Sequence, residues 1–132
     1  KNQPESQGLT ELLTSLKNAG QKSVICSGSG RNFILYLLEQ LRITSYFVAI
    51  IGGDQIRRLK PEPDIFLAML DKMQVEAKAA LVVEDSASGC LAAKRAGIPC
   101  VAYLNEGRNR QNVQQADFTV NHLSEVMNYV KK

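Results

Sequence analysis

The stretch Leu81-Val82-Val83-Glu84-Asp85-Ser86-Ala87-Ser88-Gly89 decides how the rest of the chain is read. Leu81, Val82 and Val83, two of them β-branched, predict the end of a buried strand. Glu84 and Asp85 then stand at its carboxyl end, with Ser86 placed to cap a following helix. In an open α/β sheet, ligands bind in the crevice beyond the carboxyl ends of the strands. Two adjacent carboxylates there are candidates for holding a hard cation or serving phosphate chemistry. The same pattern also suits an ordinary acidic strand-to-helix turn in which Asp85 helps the cap.

Outward from this stretch, apolar runs and helical stripes alternate. On the N-terminal side, Leu9, Leu12, Leu13 and Leu16 follow helical spacing, with Gly20 placed to end the helix. Val24, Ile25 and Cys26 predict a buried strand within Lys22 to Ser27, which breaks into Gly28-Ser29-Gly30 before a helix carrying Ile34, Leu37, Leu38 and Leu41. Phe47 to Ile51 reads as a strand closed by Gly52-Gly53, and Asp54 to Lys60 as a polar loop or frayed turn. Ile65, Phe66, Met69, Leu70 and Met73 mark another helix face, with Pro63 in its first turn. On the C-terminal side, Ser86 to Ala96 predicts a helix ended by Gly97, and Pro99 to Tyr103 a strand. A polar connection from Asn105 to Gln115 follows, then a short edge strand at Phe118 to Val120. A last amphipathic helix carries Leu123, Val126, Met127 and Val130. This alternation predicts an α/β fold, a mainly parallel sheet covered on both faces.

Composition narrows the function classes. With 132 residues, 45% of them hydrophobic, the chain fits one domain with a real core, and no apolar run is long enough to suggest a membrane span. Sixteen basic against thirteen acidic residues leave +3, too small and too scattered for an electrostatic footprint on nucleic acid. Cys26, Cys90 and Cys100 lack metal-ligand spacing and sit among apolar or small residues, so reduced core thiols in a cytoplasmic protein are expected. The start, Lys1-Asn2-Gln3-Pro4-Glu5, has no apolar signal region.

Three predicted strand ends carry groups suited to one task. Ser27, with the amides of Gly28 and Ser29, can hydrogen-bond phosphate oxygens at a helix entrance, where backbone donors are unpaired and the dipole is positive. Lys60 can add a fixed positive charge, and Glu84 and Asp85 can hold magnesium. Each also has a plainer reading, Ser27 as a cap and Lys60 as a solvated side chain. His122 is expected to be a surface or capping histidine. Arg108 and Arg110 suit solvated loop charges or a substrate contact. Tyr36, Tyr46, Tyr129 and Phe33 are expected to pack against the core.

On these residues the chain resembles the haloacid dehalogenase (HAD) superfamily, and within it the beta-phosphoglucomutase-like phosphatases. Ser27 after its apolar strand, the run Lys60-Pro61-Glu62-Pro63-Asp64-Ile65-Phe66, and Val82 to Gly89 resemble that superfamily's second, third and fourth motifs. The match covers roughly Gly8 to Tyr103. The resemblance implies a three-layer Rossmann-like core and magnesium-dependent phosphoryl transfer from a small phosphorylated metabolite through an aspartyl-phosphate. Ser27 and Lys60 would be catalytic and bind the transferring phosphoryl group with Gly28 and Ser29, and Glu84 and Asp85 would hold the metal. Asp54 falls where such proteins often carry an acidic residue before the lysine.

Members of that superfamily open with a strand ending in Asp-x-Asp, which supplies nucleophile and acid, followed by a cap domain. The aspartates here are Asp54, Asp64, Asp71, Asp85 and Asp117, and no two have that spacing. The resemblance therefore implies that residues 1–132 are the C-terminal part of a HAD-like hydrolase core, without its first strand and cap and inactive alone. The sheet would be incomplete without that central strand, and its unfilled slot would favour association. The native protein is expected to extend further at its N-terminus. The alternatives are a phosphomutase of the beta-phosphoglucomutase type and a non-catalytic phosphate-binding or regulatory HAD-like domain. A dinucleotide-binding or receiver-type domain fits poorly, because the glycine spacing and the order of the acidic pair are wrong for each.

Overall fold

All strand pairings among the described residues are parallel, yet the strands form two sheets rather than one. The computed structural model describes residues 4–105 and 113–130. The element order is α1 (Pro4–Asn18), β1 (Ser23–Ser27), α2 (Arg31–Gln40), β2 (Phe47–Gly52), α3 (Asp64–Met73), β3 (Val82–Glu84), α4 (Ala87–Ala96), β4 (Cys100–Tyr103) and β5 (Phe118–Val120). A 3₁₀ helix at Leu123–Tyr129 follows. In the first sheet β1 pairs with β2, Ser27 opposite Gly52. In the second, β4 lies between β3 and β5, with Glu84 opposite Ala102 and Val101 opposite Phe118. The expected α/β architecture is present. β1 and β3 are each edge strands, and no ladder joins them.

Three helices hold the half-sheets together, and strand periodicity explains how. Successive strand side chains point to opposite faces. Val24, Cys26 and Ile51 from the first sheet meet Val82, Cys100 and Ala102 from the second in one cluster, filled by Ile65, Phe66 and Met69 of α3 and by Cys90, Ala92 and Ala93 of α4. On the other face α1 divides its leucines. Leu13 packs with Ile34, Leu38, Ile43 and Ile50 over the first sheet. Leu12 packs with Val101, Val120, Leu123 and Val126 over the second.

Several expectations are corrected. Val83 is 40% exposed rather than buried, because β3 has a neighbour on one side only. On α2 only Ile34 and Leu38 are buried. Leu37, Leu41, Tyr36 and Phe33, the last 54% exposed, lie outside the core, since a two-stranded sheet gives a helix a narrow floor. The last helix is 3₁₀, whose three-residue period aligns Leu123, Val126 and Tyr129. Tyr129 stacks on Phe118 at 4.3 Å, and the Tyr46 hydroxyl lies 2.9 Å from Thr14 Oγ1. His122 is exposed and stands at the N-cap of the 3₁₀ helix, as expected. α4 ends at Gly97 with φ +78°, a left-handed value that glycine adopts without penalty. No helix among the described residues is long and apolar enough to cross a membrane.

Ile65 is fully buried where the two half-sheets share α3. Ile65→Ala is expected to destabilise the fold by about 2–5 kcal/mol, read from urea unfolding midpoints. At the C-terminal end, the Glu125 carboxylate accepts the amides of His122 at 2.8 Å and Asn121 at 3.0 Å. These bonds hold its pKa below the usual carboxylate value. Its contribution is therefore complete above the ordinary glutamate pKa and is lost as pH falls through the lower folded value. The Asn121 and His122 amide resonances should titrate below the normal glutamate range, and Glu125→Gln should remove that titration.

Candidate functional site

Lys60 is the meeting point of the two half-sheets. It follows the polar loop after β2 and precedes Pro61, to which it is joined by a cis peptide bond. Its ammonium donates to the Cys26 carbonyl of β1 at 3.0 Å and to Glu84 Oε2 of β3 at 2.5 Å. It also lies 5.1 Å from the centre of the Phe66 ring, a cation–π contact. The Lys60 and Glu84 side chains are 16% and 11% exposed, so this ion pair is largely out of water. Removing one partner from such a pair leaves an uncompensated charge, which is strongly destabilising.

Glu84 is held from its other side as well. Its Oε1 accepts from Ser86 Oγ at 3.1 Å, while Ser86 Oγ accepts the Gly89 amide at 3.0 Å and so caps α4. The Glu84 carboxylate rests on the Cα of Gly89, where an added Cβ would stand 2.0 Å from the carboxyl carbon. The spacing Glu84, Ser86, Gly89 thus makes one device that caps the helix and aims the acid. Asp85, the next residue, is exposed. Among the described residues no three His, Cys, Asp or Glu side chains form a metal cage. Magnesium is commonly held by only one or two carboxylates, with substrate phosphate and water completing the shell, and Glu84 with Asp85 is a donor set of that kind.

Ser27 ends β1 one residue beyond the carbonyl that Lys60 grips. Its Oγ accepts the Ser29 amide at 3.2 Å, closing the turn on itself before α2 starts at Arg31. A second loop braces this turn. Gly53 N–H donates to the Ser29 carbonyl at 2.8 Å, and Asp54 Oδ1 accepts the Arg31 amide at 3.0 Å. Gly52 N–H donates to Gln55 Oε1 at 2.8 Å. The contact is too close for side chains, since a Cβ on Gly53 would lie 2.1 Å from the Gly28 carbonyl oxygen. This bracing is absent from the sequence reading, in which Gly52-Gly53 only closes a strand. Consecutive glycines at a strand end were the available signal.

Other candidates fall into place around this centre. Burial raises the Cys26 thiol to about 11, with Lys60 lowering it and Glu84 raising it, so it stays protonated at neutral pH. Burial also raises the thiols of Cys90 and Cys100, and all three cysteines are free. Asp64 takes a two-pronged hydrogen bond from Arg58, and Asp117 accepts the Cys100 amide at 2.8 Å. Asp71 lies exposed on α3. Arg108 and Arg110 lie outside the described residues.

The lip of the two half-sheets therefore joins the end of β1, Lys60 and Glu84. The model of the haloacid dehalogenase-like hydrolases matches residues 1–103. A phosphoglycolate phosphatase of Pseudomonas fluorescens is 38% identical over 102 residues, covering 77% of this chain and 37% of that protein. A phosphorylated carbohydrates phosphatase of Thermotoga maritima is 34% identical over 108 residues, covering 79% of this chain and 50% of the other. The crystal structure of a putative beta-phosphoglucomutase from Thermotoga maritima superposes with a TM-score of 0.81 at 31% identity, over 92% of this chain and 57% of that one. The chain spans less than two thirds of each of these relatives. With parallel half-sheets, ordered motifs and a matching family model, the chain belongs to the haloacid dehalogenase-like hydrolases.

Proposed function

We propose that this chain is the phosphate- and magnesium-binding part of a phosphohydrolase that acts on a small phosphomonoester through an aspartyl-phosphate. The observation that carries this reading is the position of Lys60, whose half-buried ammonium joins the end of β1 to Glu84 at the carboxyl lip of both half-sheets. A fixed cation there lowers the cost of charge developing on a transferring phosphoryl group, and a preorganised charge in a water-poor site needs no reorganisation during reaction. Ser27 donates its hydroxyl hydrogen to a phosphoryl oxygen, beside the turn formed by Gly28 and Ser29. Glu84 and Asp85 hold the magnesium, which when bound neutralises part of the phosphate charge. The names of the two phosphatase relatives support a small phosphorylated acid or sugar as substrate.

The nucleophilic carboxylate belongs, in this reading, to a segment beyond these 132 residues. The inner edges of β1 and β3, unpaired among the described residues, suit one added parallel strand, and its carboxyl end would reach the same lip. Without it, residues 1–132 bind phosphate and magnesium but do not turn over.

The full-length protein should hydrolyse small phosphomonoesters such as phosphoglycolate. Activity should vanish with a metal chelator and return with magnesium. Lys60→Met should lower kcat at least about a hundredfold. It should also destabilise the fold, by up to about 3 kcal/mol, as expected for a largely shielded ion pair that loses one partner. Lys60→Met combined with Glu84→Gln should regain much of the stability and none of the activity. A stable full-length protein that binds phosphate with no turnover would instead favour a non-catalytic binding domain.

A further inference from the structure

α2 begins without a cap of its own. Its N-cap residue is Gly30, which has no side chain to accept an amide of the first turn. A helix start leaves such donors unsatisfied, and a polar side chain at this position ordinarily takes one of them. Here the acceptor comes from the loop after β2: Asp54 Oδ1 takes the Arg31 amide at 3.0 Å across 23 residues of sequence. Its Oδ2 lies beside Gly30, 3.8 Å from where a Cβ would stand.

The rest of that loop is shaped to deliver Asp54. Gln55 Oε1 folds back onto the Gly52 amide at 2.8 Å, and Gly53 N–H anchors the Ser29 carbonyl at 2.8 Å. A Cβ on Gly52 would come within 2.7 Å of both the Arg31 nitrogen and Asp54 Oδ1. Gly52 to Gln55 is thus a mould for Ser27 to Arg31, touching it at Gly28, Ser29 and Arg31. A serine or aspartate at position 30 would cap the helix locally and leave the two loops independent. Capping from Asp54 makes the position of the Ser27 turn depend on the end of β2.

We infer that Asp54 is a positioning residue for the Ser27 turn, fixing where the Ser27 hydroxyl stands by capping α2 from the neighbouring loop. The inference rests on the reading of Ser27 as a phosphate donor. It has two parts that act in opposite directions. As an acceptor, Asp54 orders the turn and favours phosphate binding. As an anion beside the helix start, it opposes phosphate, because like charges repel and the helix dipole is already partly neutralised. The acceptor effect is separable from the charge effect, because asparagine keeps an acceptor oxygen and loses the charge.

The test uses the full-length protein with inorganic phosphate as probe. Amide exchange at Arg31 is followed by NMR, alongside phosphate affinity and the kinetics of a small phosphomonoester. Asp54→Ala should speed Arg31 exchange and bind phosphate roughly fivefold or more weakly than Asp54→Asn, the scale of a lost helix cap. It should raise KM more than it lowers kcat. Asp54→Asn should keep the Arg31 protection and bind phosphate at least as tightly as the parent. Gln55→Ala, which loosens the mould without touching the helix, should weaken phosphate binding in the same direction and carries the test should Asp54→Ala not fold. Equal phosphate affinity in Asp54→Ala and Asp54→Asn, or an unchanged affinity in Gln55→Ala where that variant carries the test, overturns the inference while leaving the phosphate site standing. A parent protein that does not bind phosphate, or whose binding is indifferent to Ser27→Ala, overturns the phosphate reading itself.

Discussion

A single ammonium group bonds both half-sheets where no backbone ladder does. Lys60 reaches the Cys26 carbonyl on one side and Glu84 on the other, so two strands that share no hydrogen bonds are tied through a side chain. The tie is electrostatic and mostly dry, which makes it costly to break by removing one partner. It also places the constraint at the carboxyl ends of the strands, where an open α/β fold presents its ligands. The rest of the lip is arranged around it. Ser86 and Gly89 aim Glu84, Phe66 lies beneath the ammonium, and the loop after β2 sets the Ser27 turn.

Much of this was legible in the sequence. The order strand, small-residue turn, helix at Val24 to Leu38, and strand, acid pair, serine, helix at Val82 to Ala96, is local chemistry, and periodicity reads local chemistry well. Ser86 as N-cap and Gly97 as terminator followed from residue type alone. The link from Lys60 to Glu84 was legible only as a shared location, because the motifs put both at one rim without requiring that they pair.

What escaped the sequence depends on the neighbours an element finds. Leu37, Leu41 and Phe33 have the spacing of a buried helix face, but burial requires a floor wide enough to cover them, and β1 with β2 is not. Val83 looked like strand core and is exposed for the matching reason on the other half. The brace from Asp54 to Arg31 spans 23 residues, and nothing in the local pattern of either loop requires it. The 3₁₀ geometry of Leu123–Tyr129 is a similar case: its apolar spacing at three and four residues suits either helix, and contacts with α1 and β4 decide.

Leu12 and Leu13 are neighbours in sequence, and they serve different halves of the molecule. On a helix, consecutive side chains diverge by about 100°, so the pair works as a rigid wedge whose angle is built into the backbone. Turning α1 about its axis would lift one leucine as it drove in the other. The tilt between the half-sheets is thereby geared to the rotation of one helix.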